Sequence, residues 1–312
     1  MVHCVVTGAT GLVGGTLTRM LLSKGHDVTA LGRNTEKLTK IDGAKTEVVD
    51  ISDKNWDCSF PSNAVWFHCA AALTGADQHG LDSINVEGTR HVIEHFKENS
   101  GHLFIFVSSI ATYSITEKAP RTENSLQLPF TPYGKSKVAA EKILKDSRIP
   151  FVIVRPPFIG GPNDKNVLEE FSRRLETGKL PLVGRNGKLG YVDARDLSKV
   201  MIEAMDNEKM LNQAINVQGQ AVGFHEFIYL LSEKLGVEPP KHKIPYFLAY
   251  LAGLFMEIKN GLRGKSSNRG LSRYRVRTLS AVRCLDTSLL HSLMNFNPIP
   301  LENSIEDWLE TR

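Results

Sequence analysis

A tyrosine and a lysine stand four residues apart in a stretch whose composition is typical of a helix. Tyr133 and Lys137 would therefore share one face of that helix, one turn apart. A phenol with a pKa of about 10 is a poor base at neutral pH, but a neighbouring cation favours the phenolate and lowers its pKa. Ser109 follows a predicted strand and adds a hydroxyl able to hold the same substrate oxygen. Together they fit proton transfer to or from an alcohol or ketone oxygen. Alone, the Tyr-x-x-x-Lys pattern is also typical of a solvated helix face.

The N-terminal segment is predicted to bind the phosphates of a dinucleotide. Residues 2–7 form a short β-branched run typical of a buried strand, and apolar residues recur at helical spacing over 12–22. Gly8, Gly11 and Gly14 lie at this strand-to-helix junction. Glycines permit the tight turn, and the helix N-terminus attracts a pyrophosphate. The spacing G-x-x-G-x-x-G differs from the G-x-G-x-x-G fingerprint, and the alternative is a glycine-rich turn without a ligand.

The order of elements predicts an α/β fold. Further sheet strands are predicted at 28–31, 47–49, 64–69, 103–107 and 151–155. Helical stretches, among them 81–96 and 133–141, separate most of them, which predicts a Rossmann-type doubly wound parallel sheet with right-handed crossovers. We expect a dinucleotide-binding domain over 1–160, with the sheet completed by parts of 185–220, and a smaller C-terminal substrate-binding lobe over 161–312.

Several motifs resemble those of the extended short-chain dehydrogenases/reductases, within the NAD-dependent epimerase/dehydratase superfamily. They come in the family's order and cover most of the chain: Thr7-Gly-Ala-Thr-Gly-Leu-Val-Gly14, His68-Cys-Ala-Ala71, Asn85-Val-Glu-Gly-Thr89, Val107-Ser-Ser109, Tyr133-Gly-Lys-Ser-Lys137, Arg155-Pro-Pro-Phe-Ile-Gly-Gly-Pro162 and Tyr191-Val-Asp-Ala-Arg-Asp196. The resemblance implies an NAD(P)-dependent enzyme.

The resemblance also implies residue roles. Tyr133 would be the catalytic acid/base, Lys137 would orient the cofactor ribose and lower the tyrosine pKa, and Ser109 would position the substrate oxygen. The implied cofactor contacts are Thr7, Gly8, Thr10, Gly11, Leu12, Val13, Gly14, Asp50, Ile51, Ala70, Ala71, Tyr133, Lys137 and Pro156. No metal is expected. His68, in an apolar strand, is interpreted as a structural group, with a catalytic role as the alternative.

The end of the second predicted strand bears on the choice of cofactor. Dinucleotide folds that select NAD place an acid there, whereas a nearby basic residue accommodates the 2′-phosphate of NADP. This chain has Gly32-Arg33 at that point and no acid. We therefore expect Arg33 to bind the cofactor and predict NADP, with NAD as the alternative. The alternative is that Arg33 is a solvent-exposed residue near a helix start with no role in cofactor binding.

The C-terminal half is similar to the branch of 3β-hydroxysteroid dehydrogenases and dihydroflavonol reductases. The similarity lies in the apolar stretch 244–255 around Pro245, followed by Asp286 and Pro298. It implies an oxidoreductase that interconverts an alcohol and a ketone on a bulky, largely apolar, sterol- or flavonoid-like substrate. The alternatives are a sugar-nucleotide epimerase or dehydratase with tightly bound NAD, and a non-catalytic dinucleotide-sensing protein.

The apolar stretch is followed by a basic segment. Residues 258–285 contain eight lysines and arginines and no acid, whereas the other residues carry 30 bases and 34 acids. The favoured interpretation of the apolar stretch is a lid or wall packed on the substrate lobe. The others are a peripheral membrane contact through 244–283 and arginines that bind a phosphate or carboxylate of the substrate.

Composition and charge bear on the class of protein, its compartment and its partners. A hydrophobic content of 41% and a charged content of 23% are ordinary for a globular protein. The four scattered cysteines form no C-x-x-C pair, which fits a reducing, cytoplasmic compartment. The net charge of +4 is local in origin and does not indicate a nucleic-acid partner. A homodimer is left open.

Overall fold

The computed structural model describes residues 1–73, 78–115, 120–262 and 272–312. Its strands are β1 (His3–Thr7), β2 (Asp27–Gly32), β3 (Lys45–Val48), β4 (Val65–His68), β5 (Leu103–Val107), β6 (Phe151–Arg155), β7 (Phe158–Gly160), β8 (Leu182–Val183), β9 (Lys188–Asp193), β10 (Gln213–Asn216), β11 (Gln220–Gly223) and β12 (Lys243–Ile244). Its α-helices are α1 (Leu12–Ser23), α2 (Thr35–Leu38), α3 (Gln78–Asp82), α4 (Gly88–Glu98), α5 (Pro132–Asp146), α6 (Val167–Glu176), α7 (Ala194–Glu203), α8 (Phe224–Leu235), α9 (Tyr246–Leu262), α10 (Arg273–Ser280), α11 (Ser288–Leu293) and α12 (Leu301–Glu310).

Seven parallel strands form the main sheet, in the order β10-β6-β5-β4-β1-β2-β3. Its central strands are buried on both faces, as their nearly continuous apolar sequences require. Leu17 of α1 and Met201 of α7 pack on one face, whereas Phe96 of α4 and Leu144 of α5 pack on the other. The predicted Rossmann-type fold is therefore confirmed.

A second core lies beside the main sheet. Strands β11, β9 and β7 form a three-stranded sheet, and α6, α8 and α12 pack around it through Leu168, Leu231 and Trp308. A third, smaller cluster joins β8, α9 and α10 through Val183, Ala249 and Val276. All these elements follow β6 in the chain. Residues at or near β8, α9 and α10 line the cavity described below.

Two predicted helices differ from the structure. The helix predicted from residue 81 to 96 is interrupted by a π-helical turn at Ser83–Glu87, where the buried Asn85 bonds to groups outside the helix. The helix predicted at 133–141 runs from Pro132 to Asp146. The strands β7, β8, β11 and β12 were not predicted, because runs of two to four residues carry little periodicity and depend on non-local pairing.

The apolar stretch 244–255 spans the end of β12 and most of α9. One face of α9 packs on β8 and α10, with Ala249 buried. The opposite face, which includes Phe247, Leu251 and Phe255, is exposed. The helix thus packs on the lobe through one face only, and its interpretation as a lid or wall stays a prediction. Of the basic segment, Arg263, Lys265 and Arg269 lie outside the described residues, as does the side chain of Arg275.

Candidate functional site

The glycine turn after β1 can accommodate a phosphate group closely. Gly8 has φ +69°, and a Cβ on it would lie 2.8 Å from the backbone of Ala70. A Cβ on Gly14 would overlap the carbonyl of Gly8. Helix α1 begins after Gly11 with no capping side chain and no acid in its first turn. Its first N–H groups and the positive end of its dipole therefore suit the pyrophosphate of a dinucleotide.

The other predicted cofactor residues lie at the same edge of the sheet. They follow successive strand ends: Thr7, Gly8, Thr10, Gly11, Leu12, Val13 and Gly14 at the β1 end, Arg33 after β2, Asp50 and Ile51 after β3, Ala70 and Ala71 after β4, and Pro156 after β6. In parallel α/β sheets, ligands bind in the crevice outside these carboxyl ends. The placement fits an extended dinucleotide that lies across the sheet.

Helix α5 carries the tyrosine and the lysine. Thr131 caps it by accepting a hydrogen bond from the backbone N–H of Gly134 (3.0 Å), and Pro132 occupies its first turn. The Nζ of Lys137 donates to the carbonyl of Val107 (2.8 Å), which brings this helix against the end of β5. That strand end leads directly to Ser109.

The structure brings Ser109, Tyr133 and Lys137 together. A hydrogen bond links the hydroxyl groups of Ser109 and Tyr133. The Oγ of Ser109 also accepts from the backbone N–H of Ala111 (3.1 Å), which caps a short 3₁₀ turn and orients the serine. Two hydroxyls and an ammonium group thus lie at the carboxyl edge of the sheet, and such groups are able to transfer and stabilise a proton.

Burial controls the protonation of this site. It raises the pKa of Tyr133 to about 12, against the opposing hydrogen bond from Ser109. It lowers the pKa of Lys137 to about 8, against the opposing charges of Cys69 and Glu141. The sequence predicts a lowered tyrosine pKa, whereas burial raises it, because desolvation of the phenolate dominates.

The Lys137 pKa gives a testable pH dependence. Its folded value of about 8 lies below its ordinary value of 10.5, so the unfolded chain binds more protons between these values. Stability contributed by this group is complete above the ordinary pKa and is lost as the pH falls through the folded pKa. In urea unfolding without cofactor, the difference in unfolding free energy between wild type and Lys137→Met should rise by up to about 3 kcal/mol from about pH 8 to pH 10.5. A difference that stays flat would contradict the buried cation.

His68 has the contacts of a structural group. Thr89 donates its hydroxyl hydrogen to the carbonyl of Asn85 (2.7 Å), so His68 Nε2 must donate to Thr89 (3.0 Å). His68 Nδ1 then accepts from the Thr7 hydroxyl (2.7 Å), whose oxygen accepts from the N–H of Ala70 (3.2 Å). Burial lowers the pKa of His68 to about 3, so the ring is neutral. The chain of hydrogen bonds joins the ends of β1 and β4 beneath the cofactor edge.

Asn85 positions the start of α5, a role that residue-level reasoning missed. Its side chain accepts from the N–H of Ala72 (2.8 Å) and donates to the carbonyl of Ala72 (2.9 Å) and to Ser136 Oγ (2.9 Å). Ser136 in turn donates to the carbonyl of Tyr133 (2.8 Å). The chain of contacts fixes the tyrosine relative to the loop after β4. Only the motif Asn85-Val-Glu-Gly-Thr89 pointed to this residue.

A buried ion pair lies behind the site. Arg155 donates from Nε and Nη2 to the carboxylate of Glu141 (2.9 and 2.6 Å) and from Nη1 to the Tyr113 hydroxyl (2.7 Å). Ser108, next to Ser109, also donates to Glu141 (2.5 Å). Burial acts to raise the pKa of Glu141, but the hydrogen bonds and charge of Arg155 outweigh it and lower that pKa. Because Glu141 lies one turn beyond Lys137 on α5, the pair ties the helix to β5 and β6.

A cavity of about 400 Å³ is lined by residues other than Ser109, Tyr133 and Lys137. Leu128 and Phe130 line it from the segment that leads into α5, and Tyr246, Arg185 and Arg277 line it from the second part of the chain. The Arg185 guanidinium lies 4.6 Å from the Tyr246 ring centre. The cavity therefore combines apolar and aromatic walls with two exposed cations.

Two features were sought only among the residues that the structure describes, a metal site and a membrane-spanning helix. In 1–73, 78–115, 120–262 and 272–312, no group of three or more His, Cys, Asp or Glu side chains is arranged to hold a metal ion. Among the helices of those ranges, none combines the length and the apolarity needed to cross a bilayer.

Residues 4–217 match the model of the NAD dependent epimerase/dehydratase family. The chain is 26% identical to the 2-alkyl-3-oxoalkanoate reductase of Shewanella oneidensis, over 92% of this chain and 80% of that protein. It is also 26% identical to N-acetyl-alpha-D-glucosaminyl-diphospho-ditrans,octacis-undecaprenol 4-epimerase of Escherichia coli O157:H7, over 73% and 70% of the two chains. The chain is 27% identical to 3beta-hydroxysteroid-dehydrogenase/decarboxylase isoform 1 of Arabidopsis thaliana, over 81% of this chain and 63% of that protein.

Solved structures share the fold. That of gox2253 superposes with a TM-score of 0.83 at 22% identity and covers 99% of this chain and 97% of its own. UDP-glucuronic acid 4-epimerase from Bacillus cereus, in complex with NAD, gives a TM-score of 0.76 at 19% identity, over 99% and 98% of the two chains.

Proposed function

Because the chain belongs to the NAD dependent epimerase/dehydratase family, we propose that it is an NADP-dependent oxidoreductase that interconverts an alcohol and a ketone on a bulky, largely apolar substrate. The observation that carries the proposal is the convergence of Ser109, Tyr133 and Lys137 beside the glycine turn. We further propose that residues 1–160 bind the cofactor and that 161–312 supply most of the substrate lobe.

In the reductive direction, the Tyr133 hydroxyl donates a proton to the forming alkoxide. Its raised pKa keeps it protonated at neutral pH, as a proton donor must be. The hydroxyl of Ser109 donates a hydrogen bond to the same oxygen and stabilises its developing charge. The Lys137 ammonium, one turn away, stabilises the phenolate that remains. The nicotinamide, when bound, supplies the hydride to the carbonyl carbon.

The residues at the end of β2 favour NADP over NAD as the cofactor. A Cβ on Gly32 would lie 3.2 Å from the Thr10 side chain, so the position where NAD-selective folds carry an acid has little room. Arg33 is 63% exposed, and its Nη1 lies 3.9 Å from Asp50. Exposed pairs of this kind contribute little stability. The guanidinium is thus available to bind a 2′-phosphate.

Arg33→Asp tests the choice of cofactor. We expect it to weaken NADPH binding by about tenfold to a hundredfold, because a charge-assisted hydrogen bond to phosphate contributes about 1.5–3 kcal/mol. NADH binding should be retained or improved. Calorimetric titration of the purified protein with both nucleotides measures the two affinities.

Lys24→Asp is the matched control, since it makes the same change of charge at the far end of α1. It should leave both affinities unchanged. Equal affinity of wild type for NADPH and NADH, or indifference to Arg33→Asp, would overturn the NADP proposal.

The cavity walls favour an apolar substrate. Leu128, Phe130 and Tyr246 line the cavity with hydrophobic surface. The names of two of the relatives contain a steroid and an undecaprenol, both largely hydrocarbon. We therefore propose a sterol- or flavonoid-like carbonyl or another lipid-like one.

A sugar-nucleotide epimerase is the second candidate. It is favoured by Arg185 and Arg277, which line the same cavity and carry the positive charge that a diphosphate requires. That function requires NAD that stays bound during turnover. NAD released on denaturing the purified protein, with no net oxidation of added NADPH, would favour the epimerase.

A further inference from the structure

Helix α9 exposes a continuous apolar face. Five large apolar side chains on it are between 47% and 65% exposed: Phe247, Leu248, Leu251, Phe255 and Ile258. Their spacing of three and four residues places them along one side of the helix. With 17 residues, α9 is about 25 Å long. Apolar patches of this extent mark an interaction surface.

The orientation of α9 is fixed by its other face. Ala249 is buried against Val183 and Val276, and a Cβ on Gly253 would lie 2.7 Å from the backbone N of Arg273. The helix therefore packs closely on α10 along one side. The exposed face cannot turn inward without losing these contacts.

The surroundings of this face are basic. Glu257 is the one acid of α9, and it accepts a hydrogen bond from Arg273 Nε (2.6 Å), which neutralises it. Lys259 is exposed near the end of the helix, and Arg277 is exposed on α10. The sequence 258–285 contains eight bases and no acid. Lys259 and Arg277 are the basic border that the described residues provide, and an apolar helix followed in sequence by a basic segment has the charge pattern of an interfacial membrane helix.

We propose that this face of α9 docks the protein on a membrane surface rich in anionic lipid. The apolar side chains would insert at the level of the head groups, and the basic border would bind lipid phosphates. A second copy of the chain is the alternative occupant of this face, and the experiment below distinguishes the two.

The cavity lined by Leu128 and Phe130 also includes a residue of α9. Leu126, Leu128 and Phe130 are more than half exposed on the segment that leads into α5. Leu128 and Phe130 line the cavity together with Tyr246, the first residue of α9. A lipid-like substrate could therefore pass from the membrane into the cavity. This last step rests on the proposed function, whereas docking itself does not.

Vesicle sedimentation tests the docking. Vesicles of phosphatidylcholine alone are compared with vesicles of equal phosphatidylcholine and phosphatidylglycerol. We expect binding to the anionic vesicles only, reduced about tenfold or more by Phe247→Ser with Phe255→Ser. Lys259→Glu should reduce it about fivefold or more. Leu211→Ser, which changes an exposed leucine elsewhere (43% exposed), is the control and should bind like wild type.

The melting temperature and the NADPH affinity of each variant distinguish failure of the docking proposal from damage to the fold or failure of the oxidoreductase proposal. Because the changed residues are exposed, each variant should keep the wild-type melting temperature and NADPH affinity. Absence of vesicle binding, or binding unchanged in the double variant, would overturn the docking and leave the oxidoreductase proposal intact. A dimer in sedimentation equilibrium that the double variant converts to a monomer would assign the face to a second copy, which also overturns the docking.

Discussion

Replacement of Tyr133 by phenylalanine is expected to reduce turnover by about 10²- to 10⁴-fold, the range that a positioned proton donor contributes. The ring keeps its place on α5, and the change removes only the hydroxyl that bonds to Ser109. NADPH binding should stay at the wild-type level, because the glycine turn and Arg33 are untouched. Steady-state oxidation of NADPH with a ketone substrate, together with calorimetric titration, measures both quantities.

Tyr229→Phe is the matched control, since Tyr229 is an exposed tyrosine on α8. It should turn over like wild type. If Tyr133→Phe retained most of the turnover, another group would have to supply the proton. The pair of variants also addresses the sensing alternative, because a non-catalytic dinucleotide sensor would show no turnover for either variant to lose.

The second large effect is on stability. Arg155→Met should lower the free energy of unfolding by about 3–5 kcal/mol, because it removes the buried guanidinium that bonds to the Glu141 carboxylate and leaves only the half-exposed Lys145, 3.7 Å away, as its cation. Both members of the pair are almost completely buried, so water cannot replace the lost partner. Urea denaturation at neutral pH measures the change.

Two further variants make this result specific. Glu141→Gln combined with Arg155→Met removes the buried carboxylate charge and should be less destabilised than Arg155→Met alone. Arg174→Met breaks the exposed pair with Glu170 and should cost no more than about 1 kcal/mol. Equal losses for Arg155→Met and Arg174→Met would contradict the buried network.

The main sheet could be predicted because its strands are apolar on both faces and its turns carry glycines. The site triad was predictable for a related reason, since helical spacing fixes the relation between Tyr133 and Lys137 and the strand end fixes Ser109. These features depend on local sequence and on topology. The division at residue 160 stays a prediction.

Other features depend on contacts that sequence does not contain. The raised pKa of Tyr133 follows from burial by residues distant in the chain. The Glu141–Arg155 pair joins a helix to a strand, and its members are ordinary charged residues in the sequence. The exposure of one face of α9 could not be predicted either, because an apolar helix is expected to be buried unless the positions of its neighbours are known.

The fate of the hydride tests the central claim most directly. NADPH carrying deuterium at the transferable C4 position is mixed with the enzyme and a 3-ketosteroid or a dihydroflavonol, and the products are analysed by mass spectrometry. The account predicts deuterium on the carbinol carbon of the alcohol and release of NADP⁺, with both lost in Tyr133→Phe. NAD already bound to the purified protein, together with inversion of a sugar nucleotide and no net change in the nicotinamide, would contradict it.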